Sequence, residues 1–254
     1  MYIDCHCHLD FYEDEKIEQI VKRARKANVK IIVNNGVNRV KNRKVLEISE
    51  RYLEVKAALG LYPIDALKMS DKQIKDELDF IRKNKDKIIA IGEVGMDLKE
   101  SSELERQKKI FQKIIKLALE LNKPLIVHSR KAEKEVIEIL KKNKMKKVVM
   151  HCFNGNFKLI QRIVENGWKM TIPTNVKSSE HFQQVIARVP LENLLCETDS
   201  PFLHPDKLPD NEPANVIVSY EKIAFIKGLK LSEVEEKIER NFGGLFNAVI
   251  DSLK

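Results

Sequence analysis

Eight short apolar runs, separated by longer amphipathic stretches, constrain the fold of this chain more than any other feature. The runs are Tyr2–His8, Ile31–Asn34, Val55–Gly60, Ile88–Glu93, Pro124–His128, Lys147–His151, Trp168–Ile172 and Leu194–Asp199. They recur at roughly 20–30 residues, the interval at which strands alternate with helices. Between them, Ile17, Ile20, Val21 and Ala24 keep helical spacing, as do Ile110, Ile114, Ala118 and Leu121. Ser70-x-x-Gln73, Ser102-x-x-Glu105 and Ser232-x-x-Glu235 have the form of capping boxes that open helices. Pro124 sits where a strand tolerates proline, at its first residue. The chain has 254 residues, and a (β/α)8 TIM-type barrel typically takes about 250. The expectation is an α/β fold, one such barrel domain spanning 1–254. A doubly wound open sheet would also alternate strands and helices, and the placement of polar residues decides between the two.

The first run reads Asp4-Cys5-His6-Cys7-His8. Alternate side chains of a strand share a face, so Asp4, His6 and His8 point one way and Cys5 and Cys7 the other. Two imidazoles on one face can grip a divalent ion at about 2.1 Å. Four further runs each end in a metal-capable residue: Glu93, His128, His151 and Asp199. Barrel active sites lie at the C-terminal ends of the strands and draw residues from several of them. Four of the six histidines fall at such positions, which favours the barrel with a metal site at that end. Six ligands exceed one tetrahedral ion and suit two divalent cations. The economical assignment puts His6, His8 and Asp199 on one and His128 and His151 on the other, with Glu93 between them. Bound cations would make hydroxide available near neutral pH, and Asp199 is the candidate general base. Four histidines favour zinc-like ions over magnesium.

Composition narrows the setting. No run of about 18 apolar residues exists, and the N-terminus lacks a basic segment followed by an apolar stretch. Neither a membrane span nor a secretory signal is expected. Cys5, Cys7, Cys152 and Cys196 each lie in or beside an apolar run, as buried, reduced thiols of a cytoplasmic protein do. The formal net charge of +8 suits a polyanionic partner. Lysines are spread along helix faces, as at Lys22, Lys26, Lys113 and Lys116, and the denser Lys141–Lys147 stretch reads as a solvated helix end.

The blocks Asp4-x-His6-x-His8-Leu9, Ala90-Ile91-Gly92-Glu93-Val94-Gly95-Met96-Asp97, His128-Ser129-Arg130, His151-Cys152-Phe153-Asn154-Gly155 and Glu197-Thr198-Asp199-Ser200-Pro201 together resemble the TatD family of metal-dependent deoxyribonucleases, barrels of the amidohydrolase superfamily. Asn211-Glu212-Pro213 is similar to the family's signature near its last loop. The resemblance runs from residue 2 to about residue 247. It implies metal ligands at His6, His8, Glu93, His128, His151 and Asp199, a Zn, Mg or Mn cofactor, and DNA as substrate. Two positions depart from the pattern. The family usually reads Gly-x-His-Pro where this chain has Gly60-Leu61-Tyr62-Pro63, and a phenol carries no positive charge near neutral pH. The family's Arg-Gly before Asn-Glu-Pro is absent from Lys207-Leu208-Pro209-Asp210-Asn211.

Tyr62 and Arg130 are the candidate substrate contacts, the first by donating to a phosphate oxygen, the second by clamping it bidentately. His204 is a weaker candidate, Trp168 reads as packing and His181 as surface. Asp97 reads equally as a ligand-orienting group and as an ordinary loop carboxylate. Two other functions use the same residues: hydrolysis of a small-molecule amide, lactone or ester, and nucleic-acid binding without catalysis, with the metals kept for structure alone.

Overall fold

A computed structural model describes residues 1–246. Its strands are β1 (Tyr2–Cys7), β2 (Val29–Asn35), β3 (Val55–Leu59), β4 (Ile88–Asp97), β5 (Leu125–Arg130), β6 (Val148–Met150), β7 (Lys169–Pro173) and β8 (Leu194–Glu197). The helices are α1 (Asp14–Lys26), α2 (Arg39–Arg51), α3 (Pro63–Leu67), α4 (Asp71–Lys83), α5 (Leu104–Leu121), α6 (Glu133–Lys142), α7 (Phe157–Glu165), α8 (Glu180–Arg188), α9 (Ile217–Lys227) and α10 (Leu231–Phe246). Every apolar run of the sequence carries a strand. The sheet order follows the chain, β1 through β8.

Two compact units are present: Met1–Asn34, Glu47–Lys56 and the chain from Lys169 onward form the first, Asn35–Leu46 and Ala57–Trp168 the second. In the first, β1 pairs in parallel with β2 (Ile3 opposite Ile31) and β7 with β8 (Ile172 opposite Cys196). The chain leaving β8 runs beside β1: Asp199 N donates to His6 O at 2.9 Å and His8 N to Ser200 O at 2.7 Å. This neighbouring of first and last strands, with strands in chain order, excludes a doubly wound sheet, whose strand order reverses at a switch point. β1 is buried on both faces, as parallel strands covered by helices are. Ile17, Ile20, Val21 and Ala24 form the buried stripe of α1, as their spacing requires. Tyr220 of α9 reaches the β1 backbone, donating to Ile3 O at 3.2 Å and accepting from Ile3 N at 3.0 Å.

In the second unit β3, β4, β5 and β6 pair in parallel, each with the next. β4 continues past Glu93 to Asp97, because Gly95, Met96 and Asp97 keep register with His128, Ser129 and Arg130 of β5. Trp168 is buried and its indole N–H donates to Met145 O at 2.9 Å, so it is packing. Lys141 and Lys142 close the last turn of α6, the helix end expected there.

Of the three capping boxes, only Ser70–Gln73 forms, with both reciprocal bonds opening α4. α5 starts at Leu104 after Glu103, and Ser102 contributes only its carbonyl, to Leu104 N. α10 starts at Leu231, which places Ser232 inside the helix; Glu233 instead accepts from Lys230 N at 2.8 Å. Three of the four thiols are buried, whereas Cys152 is half-buried, following His151 in a turn with φ of 41°. Among the described residues no helix is long and apolar enough to cross a membrane.

Candidate metal centre

The alternation of β1 puts the His6 and His8 rings on one face, and the two Nε2 atoms lie 3.1 Å apart. Asp199 Oδ1 is 3.4 Å from His6 Nε2 and 3.6 Å from His8 Nε2. Donors about 2.1 Å from a shared ion stand roughly 3.0–3.4 Å from one another, so this trio has the dimensions of one coordination face. The carboxylate reaches it because the backbone turns sharply after β8. Asp199 has φ of 55°, a left-handed conformation that aspartate tolerates better than most residues.

Two buried side chains fix that turn. Asp4, on the same face as the histidines, accepts from Thr198 N at 2.9 Å and from Thr198 Oγ1 at 2.6 Å. Burial raises its pKa to about 8, against the opposing effect of the bonds from Thr198 and His6. Asn211 donates through Nδ2 to Thr198 O, Phe202 O and Thr174 Oγ1, at 2.8, 2.8 and 3.0 Å. Its neighbour Glu212 holds Arg23 of α1, and Asn211 O accepts from Tyr12. The Asn-Glu-Pro block thus clamps the segment that carries Asp199.

A second donor cluster lies in the other unit. Glu93 Oε1 is 2.9 Å from His128 Nδ1 and 3.8 Å from His151 Nε2. The far side of the His128 ring meets a carboxylate that sequence reasoning left undecided: Asp97 Oδ2, 2.9 Å from Nε2. Tyr62 donates its hydroxyl to the same oxygen at 2.8 Å, and Oδ1 accepts from the backbone N–H groups of Lys99 and Glu100. Burial alone would raise the Asp97 pKa; the bonds from His128 and Tyr62 outweigh it and hold the value at about 2. An ionised Asp97 only accepts, so it holds the Nε2 side of the ring and leaves Nδ1 facing Glu93. For His128, desolvation favours the neutral ring, and the two carboxylates override it and raise the pKa. Burial first, then the bond to Asp97, pushes the Tyr62 phenol upward, so it stays a donor. The period of two along β4 was the available signal, since Glu93, Gly95 and Asp97 share a face. Gly95 between them cannot carry a side chain: its φ is 139°, and a Cβ would stand 1.9 Å from His128 O.

The other candidates have partners of their own. Arg130 is exposed and pairs with Glu100 at 3.2 Å. His204 accepts through Nδ1 from Asp206 N at 3.0 Å and is half-buried, as is His181.

A family model described as TatD related DNase matches residues 3–247. The chain belongs to the TatD family. An uncharacterized metal-dependent hydrolase of Methanocaldococcus jannaschii is 38% identical over 241 residues, 94% of each chain. Human deoxyribonuclease TATDN3 is 35% identical over 259 residues, covering 96% of this chain and 94% of its own. The crystal structure of YjjV, a TatD homolog from Escherichia coli, matches with a TM-score of 0.91 and 28% identity over 97% of this chain and 98% of its own. The fold class is the (β/α)8 barrel that the run pattern anticipated, and the function class is that of a metal-dependent hydrolase acting on ester bonds. Imidazole and carboxylate donors at the spacings above fit the divalent cation this class uses.

Proposed function

We propose that this TatD-family chain hydrolyses DNA phosphodiester bonds, trimming single strands or strand ends, with His6, His8, Glu93, His128, His151 and Asp199 as ligands of two divalent cations. The observation that carries the reading is the convergence of His6, His8 and Asp199 donor atoms within 3.1–3.6 Å at the C-terminal ends of β1 and β8. Glu93 as a ligand rests on the family resemblance and on its place beside His128 and His151. When bound, the cations supply Lewis acidity, lowering the pKa of water and offsetting charge that develops on the phosphate. The chain's own groups do the rest. His6 and His8 would hold the first ion, and Asp199 would accept a proton from the attacking water. Asp97, with Tyr62, sets the His128 ring so that Nδ1 is the ligating nitrogen. Tyr62 acts through Asp97, to which it donates, besides the substrate contact its place in the sequence suggests. Arg130 exchanges one exposed carboxylate partner for a phosphate.

The reading further places the whole chain, 1–254, as one catalytic domain in the cytoplasm, where its free thiols stay reduced. Labelled single- and double-stranded DNA, offered with zinc, manganese or magnesium, tests it. Nucleotide release should appear with at least one metal and fall at least about a hundredfold in Asp199→Ala, as loss of a general base requires. Turnover of an amide or lactone, with none on DNA under any metal, would replace this function with the small-molecule one.

A further inference from the structure

Two large aromatic side chains stand exposed in the first unit beside the His6–His8–Asp199 donors: Phe11 at 41% and Phe202 at 51%. Each follows a donor by three residues, Phe11 after His8 and Phe202 after Asp199. Their rings are 6.1 Å apart at 89°, forming a corner. Phe11 stacks on the His8 ring at 5.0 Å and 23°, and Phe202 approaches it edge-on at 6.4 Å. Both backbones are pinned. Phe11 N donates to His8 O and Phe202 N to Asp199 O, and Phe202 O accepts from Asn211. Exposing an aromatic ring forgoes the gain of burying it, and here two rings on pinned backbones stand exposed beside the donors.

We propose that Phe11 and Phe202 form a stacking site for the nucleobase next to the scissile phosphate, an inference that rests on the DNA reading above. Whatever occupies a corner bordering the donors is joined to the group those donors hold. In a nucleic acid that neighbour is a flat base, whose π-face stacks on an aromatic ring whatever its identity. The net charge of +8 favours the same polyanion. A base inside a duplex is already stacked on its neighbours, so the corner selects single-stranded or frayed terminal nucleotides.

The test uses the metal-loaded protein and a fluorescent, phosphorothioate-linked oligothymidylate with one abasic site moved along the strand. Wild type should lose about tenfold in affinity when the base at one position is missing, the scale of a single stacking contact. Phe202→Ala should bind the intact strand about tenfold more weakly and show no positional dependence, while Phe202→Tyr keeps both. Wild-type binding that ignores the abasic site, or Phe202→Ala that still senses it, overturns the stacking site. Hydrolysis of the ordinary phosphodiester strand is scored separately. Base-dependent binding without hydrolysis overturns the nuclease reading and leaves the corner standing; hydrolysis with base-independent binding does the reverse.

Discussion

At the scale of single residues, the arrangement around His128 turns on Asp97. One carboxylate oxygen faces the imidazole and a phenol, the other two backbone N–H groups. A group so held selects the tautomer of its histidine and stiffens the ring. Asp97→Asn should therefore weaken divalent-metal binding about 10–100-fold, the usual cost of losing such a partner. Competition against a chromophoric chelator reads this without turnover. Tyr62→Phe, which removes one of the four contacts to Asp97, should do the same more mildly. Unchanged affinity in Asp97→Asn would mean that the ring is oriented by Glu93 and packing alone. In the sequence, the candidate ligands stand out because His8, Glu93, His128, His151 and Asp199 each close an apolar run, with His6 two residues before His8. Asp97 was less legible, because it follows Glu93 by four residues and the period of two that links them counts only if the strand continues that far. That extension comes from pairing with β5, a long-range effect.

Elements were legible to different degrees for a related reason. Strand positions follow from burial on both faces, which writes continuous apolar runs into the chain. Helix starts depend on one backbone conformation, and the same Ser-x-x-Gln/Glu text occurs where the helix begins one residue too late, at Leu104, or two too early, at Leu231. Ser70→Ala should cost about 1 kcal/mol, the worth of an N-cap, while Ser102→Ala and Ser232→Ala should stay within about 0.5 kcal/mol. Urea unfolding midpoints measure all three, and equal losses would contradict the assigned helix starts. The segment after β8 depends more on side chains than on secondary structure. Asn211→Ala removes three donated hydrogen bonds, to Thr198 O, Phe202 O and Thr174 Oγ1. It should destabilise the protein by about 2–3 kcal/mol and lower kcat, because Asp199 loses its anchor. A stability loss with kcat intact would show that Thr198 and Asp4 position Asp199 by themselves.

At the scale of the whole molecule, the strand order, the neighbouring of β8 with β1 and the family match across residues 3–247 agree. The fold was legible because strand number, spacing and polar strand ends all point to it. The substrate was less so, since the same donors serve esters, amides and phosphodiesters, and the discriminating side chains lie on loops. Metal binding also links to folding. A cation held at a hundredfold excess over its Kd adds about 2.7 kcal/mol, roughly 5–10 °C in Tm for a chain of this size. Chelation should lower Tm by that order, and His6→Ala should lower it in metal-replete buffer and blunt the response to chelator.

The most direct test of a two-cation hydrolase is elemental analysis of the purified protein, with DNA hydrolysis followed on the same sample before and after chelation. Two equivalents of divalent metal per chain, activity lost on chelation and restored by adding the metal back, and one equivalent fewer in Asp199→Ala are the predicted results. Hydrolysis that survives complete removal of divalent metal would contradict the account.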